Sequence, residues 1–222
     1  KRYFHKTFMK SSITVIDYGV GNLFSISKAF EYFGVDVNLI DNPKEILKAD
    51  RLVLPGVGAF ANGFYELERR NLVDAIKNYL RFERPLLAIC LGMQFLLESS
   101  QEFEQHEGLG VLPGETIPIP NSCANGRPQK IPHIGWSQLM LPASRKDWKK
   151  TILEDVTPQD YYYFIHSFMA MPKLEKNRLA DYEHSGLVIS AAVCEGYSTG
   201  CQFHPEKSGT SGLKIIKNFI SS

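Results

Sequence analysis

The chain has little excess charge of either sign and few cysteines, and both shortages exclude classes of protein. Its 222 residues include 25 Lys and Arg and 24 Asp and Glu, which give a formal net charge of +1. The basic surface typical of nucleic-acid and membrane-surface binders is therefore missing. The four cysteines are too sparse for a disulfide scaffold in a chain of this length. We expect a small-molecule or protein partner, no nucleic acid and no membrane.

Long hydrophobic runs are also absent. The longest, residues 85–97, contains Gln94 and is shorter than the ~18 residues that cross a bilayer. No signal-peptide pattern opens the chain, so we expect a cytoplasmic protein. Several basic side chains precede the first apolar strand, and Met9 is a candidate start residue. We interpret residues 1–12 as a tag or leader and residues 13–222 as the folded domain.

The first half of the chain predicts an α/β fold. The composition, 44% hydrophobic and 22% charged, is that of a globular domain. Four short apolar or β-branched runs are predicted as strands: residues 13–17, 35–40, 51–54 and 86–89. Segments of helical periodicity separate them, a pattern that favours a parallel sheet covered by helices on both faces.

The second half has a different composition. After residue 108, Gly and Pro alternate with short strand candidates at residues 161–168 and 187–193, and a helix around residues 213–220 closes the chain. We expect these strands to join the sheet in antiparallel orientation. No repeat or linker divides the chain, so we predict a single domain with a mixed, mostly parallel central sheet.

Cys90 is the first candidate for chemistry. It ends the strand 86–89, and a helix must begin at Leu91, so the thiol lies on a strand-to-helix turn. Such a turn is typical of nucleophile elbows, in which the residues two before and two after are small. Ala88 and Gly92 occupy these positions. A lone cysteine in an apolar run is more often a packing residue, but packing requires neither small neighbour, so both interpretations stay open.

His204 and Glu206 are the candidate partners of this thiol. A thiol with an ordinary pKa of ~8.5 is mostly protonated at neutral pH and needs a base. His204 follows an apolar strand, and on extended backbone the side chains of His204 and Glu206 point to the same side. A carboxylate at one ring nitrogen fixes the tautomer and leaves the other nitrogen to face the thiol. The alternative for His204 is a structural hydrogen bond.

Backbone N–H groups near these residues are candidates for an oxyanion site. The glycine-rich segment 55–58 follows the third strand, and Leu91 begins the helix after Cys90. Both segments can direct N–H groups at a developing negative charge. The alternative for residues 55–58 is an ordinary strand-to-helix turn.

Two other motifs are rejected. The glycines after the first strand imitate a dinucleotide-binding fingerprint, but Phe24 stands where that motif requires a small residue. Cys194, Cys201 and His204 match no usual spacing of zinc ligands. We therefore expect no cofactor and no metal.

Six motifs occur together and in this order in one known family. They are residues 16–23 (IDYGVGNL), 54–60 (LPGVGAF), 89–94 (ICLGMQ), 132–136 (PHIGW), 163–168 (YFIHSF) and 202–208 (QFHPEKS). The sequence resembles the class I (triad) glutamine amidotransferases over nearly its whole length. Within this family it is most similar to the glutaminase subunits of imidazole glycerol phosphate synthases, which belong to histidine biosynthesis.

The resemblance implies a flavodoxin-like fold and a defined reaction. Cys90 would attack the side-chain amide of glutamine, His204 would transfer protons, and Glu206 would orient His204. The residues implied in the glutamine and oxyanion site are Gly56, Val57, Gly58, Leu91, Gln94, His166, Ser167 and Phe168. The last three would hold the amino-acid end of glutamine largely through their backbone.

The resemblance also implies a (β/α)₈-barrel synthase as partner in a heterodimer, which receives the ammonia by a protected route. We expect the docking face to include Tyr18, Asn22, Trp136 and Lys207. We further expect a peptide of residues 56–58 to face the wrong way until the partner docks, because glycines on both sides of Val57 ease its rotation.

Some positions depart from the family pattern. Ser137 stands where Asn is usual, Phe168 replaces a frequent Tyr, and residues 114–130 form a longer Pro-rich insertion. The insertion resembles paralogous subunits that supply ammonia for amino or amidino sugars of surface polysaccharides, which is the alternative within the family. Outside it, the alternative is a non-catalytic scaffold that binds a partner.

Overall fold

The computed structural model describes residues 12–123 and 125–222. The strands are β1 (Ser12–Ile16), β2 (Asp36–Ile40), β3 (Leu52–Leu54), β4 (Leu86–Ile89), β5 (Ser99–Ser100), β6 (His106–Glu107), β7 (Gly114–Pro118), β8 (His133–Gln138), β9 (Tyr161–His166), β10 (Phe168–Pro172), β11 (Arg178–His184), β12 (Leu187–Glu195) and β13 (Ser198–Cys201). The helices are α1 (Leu23–Glu31), α2 (Pro43–Ile46), α3 (Phe60–Arg69), α4 (Leu72–Leu80), α5 (Leu91–Phe95) and α6 (Gly209–Ser221), with 3₁₀ turns at Glu175–Asn177 and Pro205–Lys207. The predicted tag or leader, residues 1–12, lies outside the described residues except for Ser12.

Seven strands form the main sheet in the order β11-β12-β13-β4-β3-β1-β2. The five from β13 to β2 are parallel, whereas β11 and β12 run antiparallel to their neighbours. The mixed, mostly parallel sheet is confirmed. The order of its parallel strands is the flavodoxin-like one. Residues 187–193 lie within β12 and join this sheet as predicted.

Each face of the main sheet carries its own hydrophobic core. The four residues of β4 are buried and alternate between the two cores. Leu87 and Ile89 belong to the core that α1 and α6 cover, and Leu86 and Ala88 belong to the core that α3, α4 and α5 cover. A strand buried on both faces consists of consecutive apolar residues, which is why the sequence predicts β4. Among the described residues, we find no helix with the length and apolar character needed to cross a membrane.

The strand predicted at residues 161–168 does not join the main sheet, and this expectation was wrong. The segment divides at Ser167. Its first part, β9, pairs with β8 in a two-stranded sheet, and its second part, β10, belongs to a four-stranded sheet of order β10-β7-β5-β6. Only alternate residues of β9 are buried, as expected of a strand with one face toward solvent. The predicted insertion at residues 114–130 begins with β7, which is a strand of the same four-stranded sheet.

The main sheet brings three predicted functional segments together. The parallel strands β3, β4 and β13 are neighbours. Residues 55–58 follow β3, Cys90 follows β4, and His204 lies shortly after β13. The carboxyl ends of parallel strands meet at one edge, with adjacent strands ~4.8 Å apart. The three segments therefore surround one point at that edge.

The turn after β4 depends on the close approach of two backbone segments. A Cβ atom at Gly92 would lie 2.1 Å from the carbonyl oxygen of Leu54, a distance that no side chain tolerates. The residue two after Cys90, predicted to be small, therefore has to be glycine at this turn.

We predict that Gly92→Ala destabilises the fold. Relieving the contact with Leu54 must separate β3 from α5, and overpacking of this kind typically lowers the free energy of unfolding by about 1–3 kcal/mol. The matched control is Gly135→Ala, because the nearest atom to a Cβ there is 3.7 Å away. Urea unfolding of both variants measures the difference. Equal stabilities would show that the turn does not depend on Gly92.

Candidate active site

Cys90 occupies a backbone conformation that side chains rarely adopt. Its φ is 55° and its ψ is −109°, and such a position costs about 1–3 kcal/mol. Hydrogen bonds on both sides hold it: Cys90 N–H donates to the Cys201 carbonyl at 2.7 Å, and the Cys90 carbonyl accepts from Met93 N–H at 3.0 Å. The thiol is buried but lines a cavity. This geometry agrees with the predicted elbow.

His204 and Glu206 form a buried pair. The distance from His204 Nδ1 to Glu206 Oε1 is 2.7 Å, and both side chains are almost fully inaccessible. The predicted pairing is therefore present, but its predicted backbone was wrong. Residues 205–207 form a 3₁₀ turn, which brings the carboxylate back beneath the imidazole instead of along an extended strand.

The electrostatics of His204 favour its protonated form. Burial by itself lowers the pKa of His204, but the Cys90 and Glu206 side chains outweigh burial and raise it above the ordinary value. The Nε2 atom is buried, and a hydrogen bond with Cys90 is among the causes that raise this pKa. An imidazolium beside a thiol favours the thiolate, which is the nucleophilic form. The three side chains thus have the arrangement of a nucleophile, a proton carrier and an orienting carboxylate.

The predicted oxyanion segment is close to Cys90, but its donors do not point at one site. Leu91 N–H donates to the Gly56 carbonyl at 3.3 Å. A trans peptide holds its C=O and N–H on opposite sides, so the N–H of Val57 points away from Leu91. Gly58 has a φ of +89°, which glycine alone adopts without strain. For an oxyanion at Cys90, Leu91 N–H is therefore already hydrogen-bonded to another group, and Val57 N–H points away.

A cavity of about 330 Å³ opens at Cys90, within the size range of small-molecule sites. It is lined by Val57, Gly58, Cys90, Leu91, Gln94, Glu102, Pro132, Ile165, His166, Ser167, Phe168, His204 and Lys207. Of the residues predicted for the glutamine and oxyanion site, only Gly56 is not part of this lining. Gly56 packs behind the cavity instead, since a Cβ there would lie only 2.8 Å from Gly92 N and from Tyr18 Oη.

The imidazole of His166 has no free nitrogen for a ligand. Nδ1 is 2.7 Å from the Phe168 carbonyl and must donate to it. Nε2, 2.8 Å from the hydroxyl of Tyr182, then accepts. Burial lowers the pKa of His166 to about 3, which keeps the ring neutral. Any contact of His166 with a ligand is therefore left to its backbone.

The four residues predicted for the docking face differ in how exposed they are. Trp136 is 54% exposed, and Lys207 lines the cavity. Asn22 is half-buried, and its side chain caps α1 by accepting from Ser25 N–H at 3.2 Å. Tyr18 was predicted wrongly, because its ring is fully buried. Its hydroxyl donates to the Pro55 carbonyl at 2.7 Å, so it supports the oxyanion segment from within.

Two site residues were missed. Glu102 is buried and lines the cavity, and its Oε2 accepts from Phe60 N–H at 2.7 Å. Glu102 belongs to no recognisable sequence motif, so nothing around it marks it. Gln202 is fully buried beside Cys90, and its position two before His204 was the available signal. In the described part of the chain, no group of three or more His, Cys, Asp or Glu side chains could hold a metal ion.

The chain is similar to known proteins over nearly its whole length. The chain is 50% identical over 210 residues to the imidazole glycerol phosphate synthase subunit HisH 1 of Legionella pneumophila strain Lens, covering 95% of this chain and 99% of the relative. It is 40% identical over 208 residues to the subunit HisH of Bacillus cereus strain B4264, covering 93% of each chain.

The fold also has relatives among solved structures. A chain in the structure of PurLQS from Thermotoga maritima matches with a TM-score of 0.70 at 19% identity, covering 96% of this chain and 99% of the other. The family model "Glutamine amidotransferase class-I" matches residues 14–222. The chain therefore belongs to the class I glutamine amidotransferase family.

Proposed function

We propose that this chain is the glutaminase subunit of an imidazole glycerol phosphate synthase. It hydrolyses glutamine to glutamate and passes the ammonia to a (β/α)₈-barrel synthase subunit. The observation that carries the chemistry is that Cys90 and His204 line one cavity, with Glu206 bound to the imidazole at 2.7 Å. The similarity to HisH subunits over nearly the whole chain supports the pathway.

The first half of the reaction forms a thioester. The Cys90 thiolate attacks the side-chain amide carbon of glutamine, and the carbonyl electrons move onto the oxygen. His204, protonated at Nε2, then donates its proton to the amide nitrogen as the C–N bond breaks. Ammonia leaves, and a γ-glutamyl group remains on Cys90.

The second half hydrolyses the thioester. Neutral His204 takes a proton from water through Nε2, and the resulting hydroxide attacks the thioester carbon. The C–S bond breaks, glutamate leaves, and the Cys90 thiolate and His204 imidazolium are restored. In both halves Glu206 accepts the hydrogen bond from Nδ1–H and stabilises the imidazolium.

The cavity offers complementary groups to the amino-acid end of glutamine. Gln94 Nε2 donates to the Phe168 carbonyl at 3.3 Å and to Gln202 Oε1 at 3.1 Å, so both of its N–H groups are used. Its own Oε1 is left to accept a hydrogen bond. Together with the carboxylate of Glu102, this oxygen suits the α-ammonium group, while backbone N–H groups of residues 166–168 suit the α-carboxylate.

Docking of the partner would complete the oxyanion site. A rotation of the peptide between Gly56 and Val57 releases Leu91 N–H and turns Val57 N–H toward Cys90. Gly56 has no Cβ to oppose it, and the hydroxyl of Tyr18 holds the preceding carbonyl, so the change stays local. Two aligned donors would then stabilise the tetrahedral intermediate.

The surface beside the cavity has the character of a protein interface. We call the outward side of β8 and β9 the docking face: Ile134, Trp136, Tyr161, Tyr163 and Ile165. The rings of Trp136 and Tyr163 are tilted against each other with centroids 5.7 Å apart, and the Tyr163 ring centroid lies 6.4 Å from that of His204. An exposed aromatic cluster at the mouth of an active site suits a partner that receives its product. Ammonia released to water would be protonated and lost as a nucleophile.

We predict that Glu206→Gln abolishes most turnover. The amide keeps the volume but removes the charge that stabilises the imidazolium, so kcat should fall by at least ~100-fold with little change in KM. The carboxylate helps to hold the pKa of His204 above its ordinary value. Its removal lowers that pKa, so the imidazolium is lost at lower pH and the alkaline limb of kcat/KM moves to lower pH.

The control for this variant is Glu45→Gln, which removes an exposed carboxylate paired with Lys48. It should keep the rate and pH profile of the parent. Parental kcat in Glu206→Gln would remove Glu206 from the mechanism.

The proposed function is tested by measuring glutamine hydrolysis with and without the synthase subunit. We expect the isolated chain to be a poor glutaminase and the complex with the imidazole glycerol phosphate synthase barrel to be active. Activation only by the synthase of an amino-sugar or amidino-sugar pathway would support the paralogue instead. Absence of activity in both complexes would support a non-catalytic scaffold, and full activity without any partner would contradict the switch.

Trp136→Ala tests the docking face. Because the ring is 54% exposed, its loss should leave the melting temperature nearly unchanged but remove partner-stimulated activity. Phe82→Ala is the control, since Phe82 has a similar exposure of 57% and lies after α4, away from the docking face. Parental stimulation in Trp136→Ala would exclude this face as the interface.

A further inference from the structure

Gln202 is a fully buried amide that joins two parts of the active site. Its Nε2 donates toward the Cys90 sulfur at 3.7 Å. Its Oε1 accepts from Gln94 Nε2 at 3.1 Å. Backbone hydrogen bonding fixes it as well, because Gln202 N–H donates to the Ala191 carbonyl at 2.8 Å. A buried side chain held at two atoms, on a backbone that is itself fixed, has one orientation available.

The direction of these hydrogen bonds follows from the Phe168 carbonyl. A carbonyl oxygen only accepts, so the amide nitrogen of Gln94 faces Phe168 at 3.3 Å. The same nitrogen lies 3.1 Å from Gln202, which therefore presents its oxygen to Gln94 and its Nε2 to the Cys90 sulfur. The Cys90 thiol donates toward the Ile165 carbonyl at 3.9 Å, which leaves its sulfur to accept from Gln202. The oxygen of the Gln94 amide is left for a ligand, and Gln202 links this amide to the nucleophile.

We propose that Gln202 is a positioning residue that couples the Cys90 thiolate to the substrate contact of Gln94. It has two effects, both resting on the glutaminase function proposed above. Its N–H stabilises the thiolate, and its oxygen holds Gln94 in the orientation that accepts from the ammonium group of glutamine. Loss of Gln202 therefore alters the nucleophile and the affinity for glutamine together, although Gln202 itself is not part of the cavity lining.

The test uses Gln202→Met in complex with the synthase subunit, because methionine keeps the volume and removes both polar groups. Alkylation of Cys90 by iodoacetamide, followed by peptide mass spectrometry over a range of pH, reports the thiolate. At neutral pH it should slow by about tenfold, the effect of losing a hydrogen bond to a charged group. The KM for glutamine should rise severalfold, because the Gln94 amide then keeps only its hydrogen bond to the Phe168 carbonyl.

A second variant, Gln202→Glu, separates the two effects. It keeps an acceptor for Gln94, so the KM should stay close to that of the parent. Its activity should fall as the pH rises through the pKa of the new carboxyl group, because a carboxylate opposes the neighbouring thiolate. Ser190→Ala is the control: this buried hydroxyl on β12 has no hydrogen-bond partner and does not line the cavity. It should behave as the parent in every assay.

Parental alkylation and parental KM in a cooperatively folded Gln202→Met would overturn the proposal. If that variant does not fold, the pH profile of Gln202→Glu decides, and a profile identical to the parent's would overturn it. The alkylation assay requires no glutaminase activity. A parent complex that does not hydrolyse glutamine would therefore contradict the proposed function, while the effect of Gln202 on the thiol would still be measured.

Discussion

The contact between Gly92 and the Leu54 carbonyl sets the geometry on which the site depends. Only with hydrogen in place of a Cβ can α5 start directly over the end of β3. The same approach forces Cys90 into its positive φ and brings Leu91 N–H against the Gly56 carbonyl. The strained turn between β4 and α5 therefore directs the thiol into the cavity and also positions the oxyanion segment.

A line of alternating donors and acceptors extends on both sides of that thiol. Glu206 holds His204, His204 faces Cys90, and the amide of Gln202 links Cys90 to Gln94. Burial excludes water that could substitute for a misplaced partner, so each hydrogen bond in this line constrains the orientation of the next group.

Local features of this protein could be predicted from its sequence, whereas contacts between distant segments could not. Ala88 and Gly92 identified the elbow because a sharp turn leaves a signature of small residues. The pairing of β9 with β8 in a sheet of their own was not predicted, since alternation of apolar residues does not identify the partner strand. Tyr18 was misplaced for the same reason: a glycine-rich turn suggests exposure, but its ring packs against Phe95. Glu102 has no motif at all, because its role comes only from its position in the fold.

The central claim is that Cys90 carries the substrate during turnover, and one measurement tests it directly. The complex is quenched in acid while it hydrolyses glutamine, digested, and analysed by mass spectrometry for a γ-glutamyl group. The account predicts this group on the peptide that contains Cys90, with none after Cys90→Ala. A glutamyl group on Cys123, Cys194 or Cys201 instead, during normal turnover, would contradict it.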